Sequence, residues 1–302
     1  MRFIILTKHP ESYSVTRIVK AAEARDHDIQ AVDFTRCALT ASTSEPRVLL
    51  GGEPLSGVDG VIARIAASSP FYGTAVVRQF EMQDIACING SLAIARCRDK
   101  LRTMQILTRR QVGMPRTAVA DHPDEVDGML DWVGKPPYIV KVIEGSQGVG
   151  VVKADSRSAA RSVVEALQAL DAKILVQEFI AEAAGSDLRC FVIGDRVVAA
   201  MKRQGAPDDF RSNLHRGGSA TPIKPSTAER DTAVAAAKAM GLRVAGVDLL
   251  QSDRGPLVME VNSSPGLEGI ETSTGKDIAT KIVEYLEKRA PKGHRGDRSA
   301  QH

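Results

Sequence analysis

Leu257-Val258-Met259-Glu260-Val261-Asn262-Ser263-Ser264-Pro265-Gly266 decides how this chain is read. Its β-branched and apolar content from Leu257 to Asn262 predicts a short strand that stops at the Ser-Ser-Pro-Gly turn. Alternation along a strand puts Val258, Glu260 and Asn262 on one face and Met259 and Val261 on the other. Glu260 and Asn262 then stand roughly 6.6 Å apart on one side. A half-buried strand with both polar groups turned to water would show the same spacing. The upstream run Val244-Ala245-Gly246-Val247-Asp248-Leu249-Leu250 favours ligation. Only the short polar segment Gln251 to Pro256 separates the two runs. A hairpin therefore brings Asp248 beside Glu260 and Asn262. Oxygen donors of this kind suit a hard cation such as Mg²⁺, which binds through one or two carboxylates together with substrate phosphates.

The 302 residues are enough for two or three lobes with substantial cores. Charged residues make up 25% and hydrophobic ones 43%, the composition of an ordinary soluble protein. Aromatics are only 4%, too few for base stacking as a main activity. A net charge of +3 suits anionic ligands but is too weak to argue nucleic-acid binding. Four cysteines, at 37, 87, 97 and 190, show neither a CxxC nor a zinc spacing. Phe3–Leu6 is too short for a signal-peptide core, and no 18-residue apolar span exists. A reducing, cytoplasmic location with no membrane partner is expected.

Residues 1 to about 94 alternate between strand and helix patterns, which argues a mostly parallel sheet. Strands are expected at 3–6, 29–34, 58–63 and 85–88, and helices at 14–25 and 74–82. The first strand runs into Thr7-Lys8-His9-Pro10-Glu11, with no GxGxxG, so a dinucleotide site is unsupported. One helix, capped by Asn89 or Ser91, is expected to run to about Arg110 and to carry Arg98-Asp99-Lys100. Lys100 reads either as a phosphate contact or as part of a solvated face.

Tyr138 to Val152 reads as strand, glycine-rich turn, strand. Gly145, Gly148 and Gly150 permit close backbone approach and expose successive N–H groups to an anion. A strand follows the loop and no Gly-Lys-Ser/Thr closes it, so it is not a Walker A loop. Lys141 sits mid-strand among apolar neighbours, where a lysine needs an anionic partner. Ile174–Ile180 and the pair Leu188–Ile193 and Arg196–Met201 are expected strands, with Ala183–Asp187 a polar turn. Lys202, Arg203, Arg211, His215 and Arg216 are expected in one basic, glycine-containing loop, either solvated or an anion site. Thr227–Met240 is an alanine-rich helix with Gly241 at its end, and 276–290 is the last helix.

The segments ARCRDKLRTMQIL (95–107), YIVKVIEGSQGVGVV (138–152), ILVQEFI (174–180), DFRSNLHRGG (209–218), AGVDLL (245–250) and VMEVNSSPGLEGIE (258–271) together resemble the ATP-grasp superfamily. Within it the chain resembles the RimK family of ligases, which add glutamate to the C-terminus of a small-subunit ribosomal protein. The resemblance implies an α/β (α+β) chain with an N-terminal pre-ATP-grasp domain over 1–94 and an ATP-grasp domain over 95–288. The lobes of the latter would lie at about 95–175 and 176–288, ahead of a disordered polar tail at 289–302.

The resemblance also implies roles. Lys141 and Lys100 would contact nucleotide phosphates, and the Gly145–Gly150 loop, with Gly148, would close over them. Glu178 and Phe179 would form the hinge that reads adenine through backbone groups; phenylalanine stands where tyrosine is common. Asp187 would contact the nucleotide at its ribose, and Arg211, Ser212 and Asn213 would line the site. Asp248, Glu260 and Asn262 would hold two Mg²⁺ or Mn²⁺ ions. Arg203 is the candidate for stabilising a tetrahedral intermediate. The implied partners are ATP, L-glutamate, a ribosomal small-subunit tail and further copies of the chain as a homo-oligomer. The alternatives are a ligase of small amino-acid or peptide substrates, a nucleotide-binding regulator without turnover, and an RNA-binding module.

Overall fold

The computed structural model describes residues 1–43, 45–65, 70–143, 150–206, 209–212 and 217–290. Gly145, Gly148, Asn213, His215, Arg216 and the tail from 291 lie outside the described residues.

The first lobe opens with β1 (Arg2–Thr7), α1 (Tyr13–Glu23) and β2 (Asp28–Asp33). A small antiparallel sheet of β3 (Cys37–Thr40), β4 (Arg47–Leu50) and β5 (Glu53–Pro54) follows, then β6 (Gly60–Ala63), α2 (Pro70–Glu81) and β7 (Ala86–Ile88). The main sheet has the order β2-β1-β6-β7 and is parallel throughout, as strand–helix alternation predicts. The small sheet escaped sequence reading because its strands are only four, four and two residues long.

The expected single helix from 89 to 110 is two helices, α3 (Ser91–Arg98) and α4 (Lys100–Arg109). Asp99 breaks it by adopting an extended backbone (φ −94°, ψ 103°) and capping α4, accepting a bond from the Arg102 N–H. Lys100 is thereby the first residue of a helix rather than a mid-helix side chain. Nor is Asn89 a cap. It is buried, and its amide joins the two lobes by donating to the Val244 and Ser263 carbonyls and accepting from the Arg243 and Val244 N–H groups.

The central lobe holds β8 (Thr117–Ala118), α5 (Val126–Val133), β9 (Tyr138–Val142), β10 (Val151–Ala154), α6 (Arg157–Gln168) and β11 (Ile174–Glu178). Its sheet runs β10-β9-β11-β8 and is antiparallel. The third lobe is an antiparallel sheet in the order β14-β13-β12-β15-β16, from β12 (Ser186–Ile193), β13 (Arg196–Gln204), β14 (Ser219–Pro222), β15 (Val244–Leu250) and β16 (Leu257–Asn262). α7 (Thr227–Met240) lies against one face of it, sealed by a capping box at Ser226 and Glu229 and a left-handed Gly241. Two expectations shift here. Asp187 belongs to β12 rather than to a turn, and Lys202 and Arg203 belong to β13 rather than to a loop.

The other face of this sheet changes character along its length. Phe191, Ile193, Ala199 and Met201 form one core with Phe3 and Ile5 of β1, with α1, and with the closing helices α8 (Glu268–Thr274) and α9 (Ile278–Glu287). The closing helices thus return to the lobe that holds β1. Asp187, Arg189, Arg203 and Asp248 occupy the remaining end of that face, which opens into a cleft against the central sheet.

Candidate active site

The β15–β16 hairpin forms as the sequence predicts, with Asp248 opposite Glu260 and Gly246 opposite Asn262. The register slips between Asp248 and Leu249, so that Leu249 pairs with Val258 and Met259 is the extra residue of a bulge. Simple alternation therefore fails for Val258. It turns with Val261 into the core beneath α7, while Glu260 stays on the cleft side. Gly246 is required at its position, because a Cβ there would lie 2.8 Å from Cβ of Pro265.

The strands align a row of charges. Arg203 on β13 faces Asp187 on β12; Arg189, two residues further along β12, faces Asp248 on β15; Asp248 faces Glu260 on β16. Arg203 donates to Asp187 through Nε (2.7 Å) and Nη2 (2.5 Å), and to Asp248 through Nη2 (2.7 Å). Arg189 grips Asp248 with Nε and Nη2, both at 2.7 Å. The Ser212 hydroxyl donates to Asp187 at 2.6 Å. Arg203, Asp187 and Asp248 are 5%, 2% and 1% exposed, so these charges persist only because they are paired. Burial works against the charge on Asp248, but the Arg189 and Arg203 guanidiniums outweigh it and hold the carboxyl below its ordinary range. Burial and the neighbouring Asp248 charge push Asp187 the other way. Sequence reading missed Arg189; its two-residue spacing from Asp187 in a strand was the available signal.

Lys141 enters from the central sheet. Its Nζ donates to Gln177 Oε1 at 2.8 Å, a diagonal contact across β9 and β11. Burial pulls the Lys141 ammonium down to about 8, against the stabilising charge of Glu260. Lys100 donates to the Ile143 carbonyl at 2.5 Å and is likewise lowered by burial. Glu178 ends β11 with its carboxylate tied to Arg254 (2.5 Å) and Arg116 (3.3 Å). Burial would raise that carboxyl, but these partners bring it below its usual value. Its side chain is thus occupied, and its N–H donates to the Arg116 carbonyl at 2.9 Å. Lys153 Nζ lies 5.1 Å from the Phe179 ring centre.

One cleft of about 1010 Å³ gathers these groups. Lys100, Lys141, Glu178, Phe179, Asp187, Arg203, Arg211, Ser212, Asp248 and Glu260 all line it, and Ile139, Leu175, Ile180 and Met259 supply apolar wall. Asn262 is not on its wall; it lies one strand step beyond Glu260, with Oδ1 accepting from Ser264 N–H at 2.9 Å. The donor set fits a divalent cation in part. Glu260 is exposed and has no ion-pair partner among the described residues, and Asn262 Oδ1 keeps a second lone pair. Asp248 is arginine-paired, so it joins such a set only if a guanidinium turns away. Among the described residues no three histidine, cysteine, aspartate or glutamate side chains cluster as a metal site by themselves.

Two family models cover the chain, the RimK PreATP-grasp domain over residues 1–94 and the RimK-like ATP-grasp domain over 97–286. A probable alpha-L-glutamate ligase of Picosynechococcus sp. is 56% identical over 298 residues, 99% of each chain. One of the same name from Aliivibrio salmonicida is 57% identical over 290 residues, 96% of each. The fold is shared with the ATP-grasp ligase PsnB, solved in complex with minimal precursor, Mg and ADP, at a TM-score of 0.74 and 21% identity over 96% of this chain and 98% of that one. With the parallel-sheet first lobe, the two antiparallel lobes and the charged cleft between them, the chain belongs to the RimK family of ATP-grasp proteins.

Proposed function

We infer that the chain is an ADP-forming α-L-glutamate ligase that extends the C-terminal carboxylate of a small-subunit ribosomal protein in the cytoplasm. The observation that carries the ligase chemistry is the cleft itself, where Lys100, Lys141, Arg203 and Arg211 line the same wall as Glu260. A cationic, largely preorganised site stabilises charge that develops during phosphoryl and acyl transfer. The names of the two curated relatives support glutamate as the added residue. The PsnB complex supports a nucleotide, Mg²⁺ and a peptide as the contents of such a cleft.

The reaction divides into two displacements. An acceptor carboxylate oxygen attacks the γ-phosphorus of ATP, the bond to the β,γ-bridging oxygen breaks, and ADP leaves an acyl phosphate. The α-amino nitrogen of glutamate, having shed a proton, then attacks the acyl carbon, and inorganic phosphate departs as the amide forms. No side-chain nucleophile is needed. Lys141 and Lys100 hold the phosphates, and the Arg203 guanidinium faces the oxyanion of the tetrahedral species. Glu260 and Asn262, with Asp248 once it is released, would hold Mg²⁺, which supplies charge neutralisation at the phosphates when bound. Asp187 lines the same wall as the nucleotide site, beside Arg211 and Ser212.

Each product again ends in glutamate and is again a substrate. Incubation of ribosomal proteins with the enzyme, glutamate, ATP and Mg²⁺ should give a mass ladder spaced by one glutamyl residue, with ADP released at each step. Efficiency should fall as salt rises, because an acidic tail is drawn to a basic cleft over about 10 Å at 0.1 M salt. Unmodified ribosomal proteins would remove the acceptor, and stoichiometric AMP would remove the acyl phosphate.

A further inference from the structure

Two guanidiniums on the first-lobe side of the molecule have no role in the chemistry above. The strand order β2-β1-β6-β7 makes β1 and β6 the point where successive connections leave on opposite sides, and open parallel sheets bind ligands beyond the strand ends at such a point. Arg64 immediately follows β6 there, its backbone N–H donating to the carbonyl of Leu6, the penultimate residue of β1. Its Nη1 donates at 2.7 Å to the carbonyl of Pro265, three residues past Asn262. Arg98, at the end of α3, donates through Nη2 to the carbonyl of Ile65, the residue after Arg64. The two side chains thus bracket the segment that leaves β6, at the seam with the loop that follows β16. Arg98 also lines the cleft, beside Lys100.

Neither arginine has a carboxylate within ion-pairing distance among the described residues, and Nε of Arg98 is buried with no hydrogen-bond partner. Burial lowers both, Arg64 to about 10. Arg203 and Arg189, on the sheet face across the cleft, are by contrast matched by aspartates. Two partly desolvated forks holding only single carbonyl bonds retain several N–H donors, and a planar fork matches a carboxylate. On the glutamate-ligase reading, on which this rests, the incoming amino acid brings a side-chain carboxylate into the cleft that Arg98 lines, and Arg64 stands behind that wall, one residue from the Ile65 carbonyl that Arg98 holds.

We propose that Arg64 and Arg98 form the subsite that receives the γ-carboxylate of the incoming glutamate and so sets the choice of glutamate over glutamine. Steady-state kinetics on the full-length enzyme with ATP and Mg²⁺ test this, using glutamate and glutamine as competing donors. Arg98→Gln and Arg64→Gln should each raise KM for glutamate about ten-fold or more while leaving KM for ATP within about two-fold, and should erode the preference over glutamine. Arg64 also holds Pro265, so Arg64→Lys, which keeps a cation, serves beside it and should recover part of the preference. Thermal unfolding of each variant separates loss of fold from loss of recognition, and Arg98→Gln carries the test if the Arg64→Gln protein does not fold. Wild-type enzyme that adds glutamate, with variants whose KM and preference are unchanged, overturns the subsite and leaves the ligase reading standing. Wild-type enzyme that adds no glutamate overturns both.

Discussion

Glu260 shows how much one side chain contributes when its surroundings leave it free. It is exposed on the cleft wall with no ion-pair partner among the described residues, and Lys100 and Lys141 both feel its charge. Glu260→Gln keeps shape and removes charge, so turnover should fall at least 100-fold with little change in Tm; near-wild-type activity at saturating Mg²⁺ would take Glu260 out of the cation site. Lys141 is the converse case. Its folded-state affinity for a proton lies below that of the unfolded chain, so at pH 7 its buried charge opposes folding, and stability should rise as pH climbs from about 8 towards 10.5. Lys141→Met should abolish that rise and stabilise the nucleotide-free protein at pH 7, while weakening ATP binding by roughly ten-fold or more in calorimetry. Unchanged nucleotide affinity would assign Lys141 to structure alone. Both residues stood out in the sequence, as a carboxylate and an ammonium in apolar strands. Their neighbours Arg189 and Gln177 did not, because a polar residue in a strand declares its role only when its cross-strand partner is known.

Elements were legible where local chemistry was strong. Thr227–Met240 is bounded as its sequence predicts because Ser226 and Glu229 close a capping box at one end and Gly241 takes φ +82° at the other. Ser226→Ala should lower stability by about 1 kcal/mol, read as a fall in Tm, since an orphan N–H loses its acceptor. A Tm within error of wild type would mean that packing of the alanine face against the sheet alone holds the helix. Where competing signals were of equal strength, boundaries slipped. The apolar period across 91–109 continues through Asp99, yet its carboxylate binds the Arg102 N–H better from an extended backbone than from a helical one. The bulge at Met259 has no local signature at all, since it follows from the pairing with β15.

At the scale of the whole molecule, α9 is tied to the segment that follows α1. Glu287 on α9 accepts from Arg25 through Nε (2.5 Å) and Nη2 (2.8 Å) and lies 2.7 Å from His27 Nε2. The Arg25 hydrogen bonds foremost, with those of His27, hold its carboxyl down at about 2, from an ordinary value of 4.5. The native state therefore gains from the ionised group above pH 4.5 and loses that gain as pH falls towards 2. Glu287→Gln should flatten this part of the stability–pH curve, removing on the order of 2 kcal/mol after solvent screening is allowed for. An unaltered acid limb would show that the contact is too wet to matter. The sequence by itself determined the parallel sheet of the first lobe, the Thr227–Met240 helix, the Asp248–Glu260 hairpin and the cationic Lys141 within an apolar strand. Those features are written in periods of two and 3.6 residues and in turn chemistry, which act over a few residues. Only the tertiary structure decided that Arg203 and Arg189 share Asp248, that Asn89 joins lobes over 150 residues apart in sequence, and that α9 returns to the first sheet. Such pairings depend on which strand lies beside which, and a desolvated charge takes whichever partner that arrangement brings within reach.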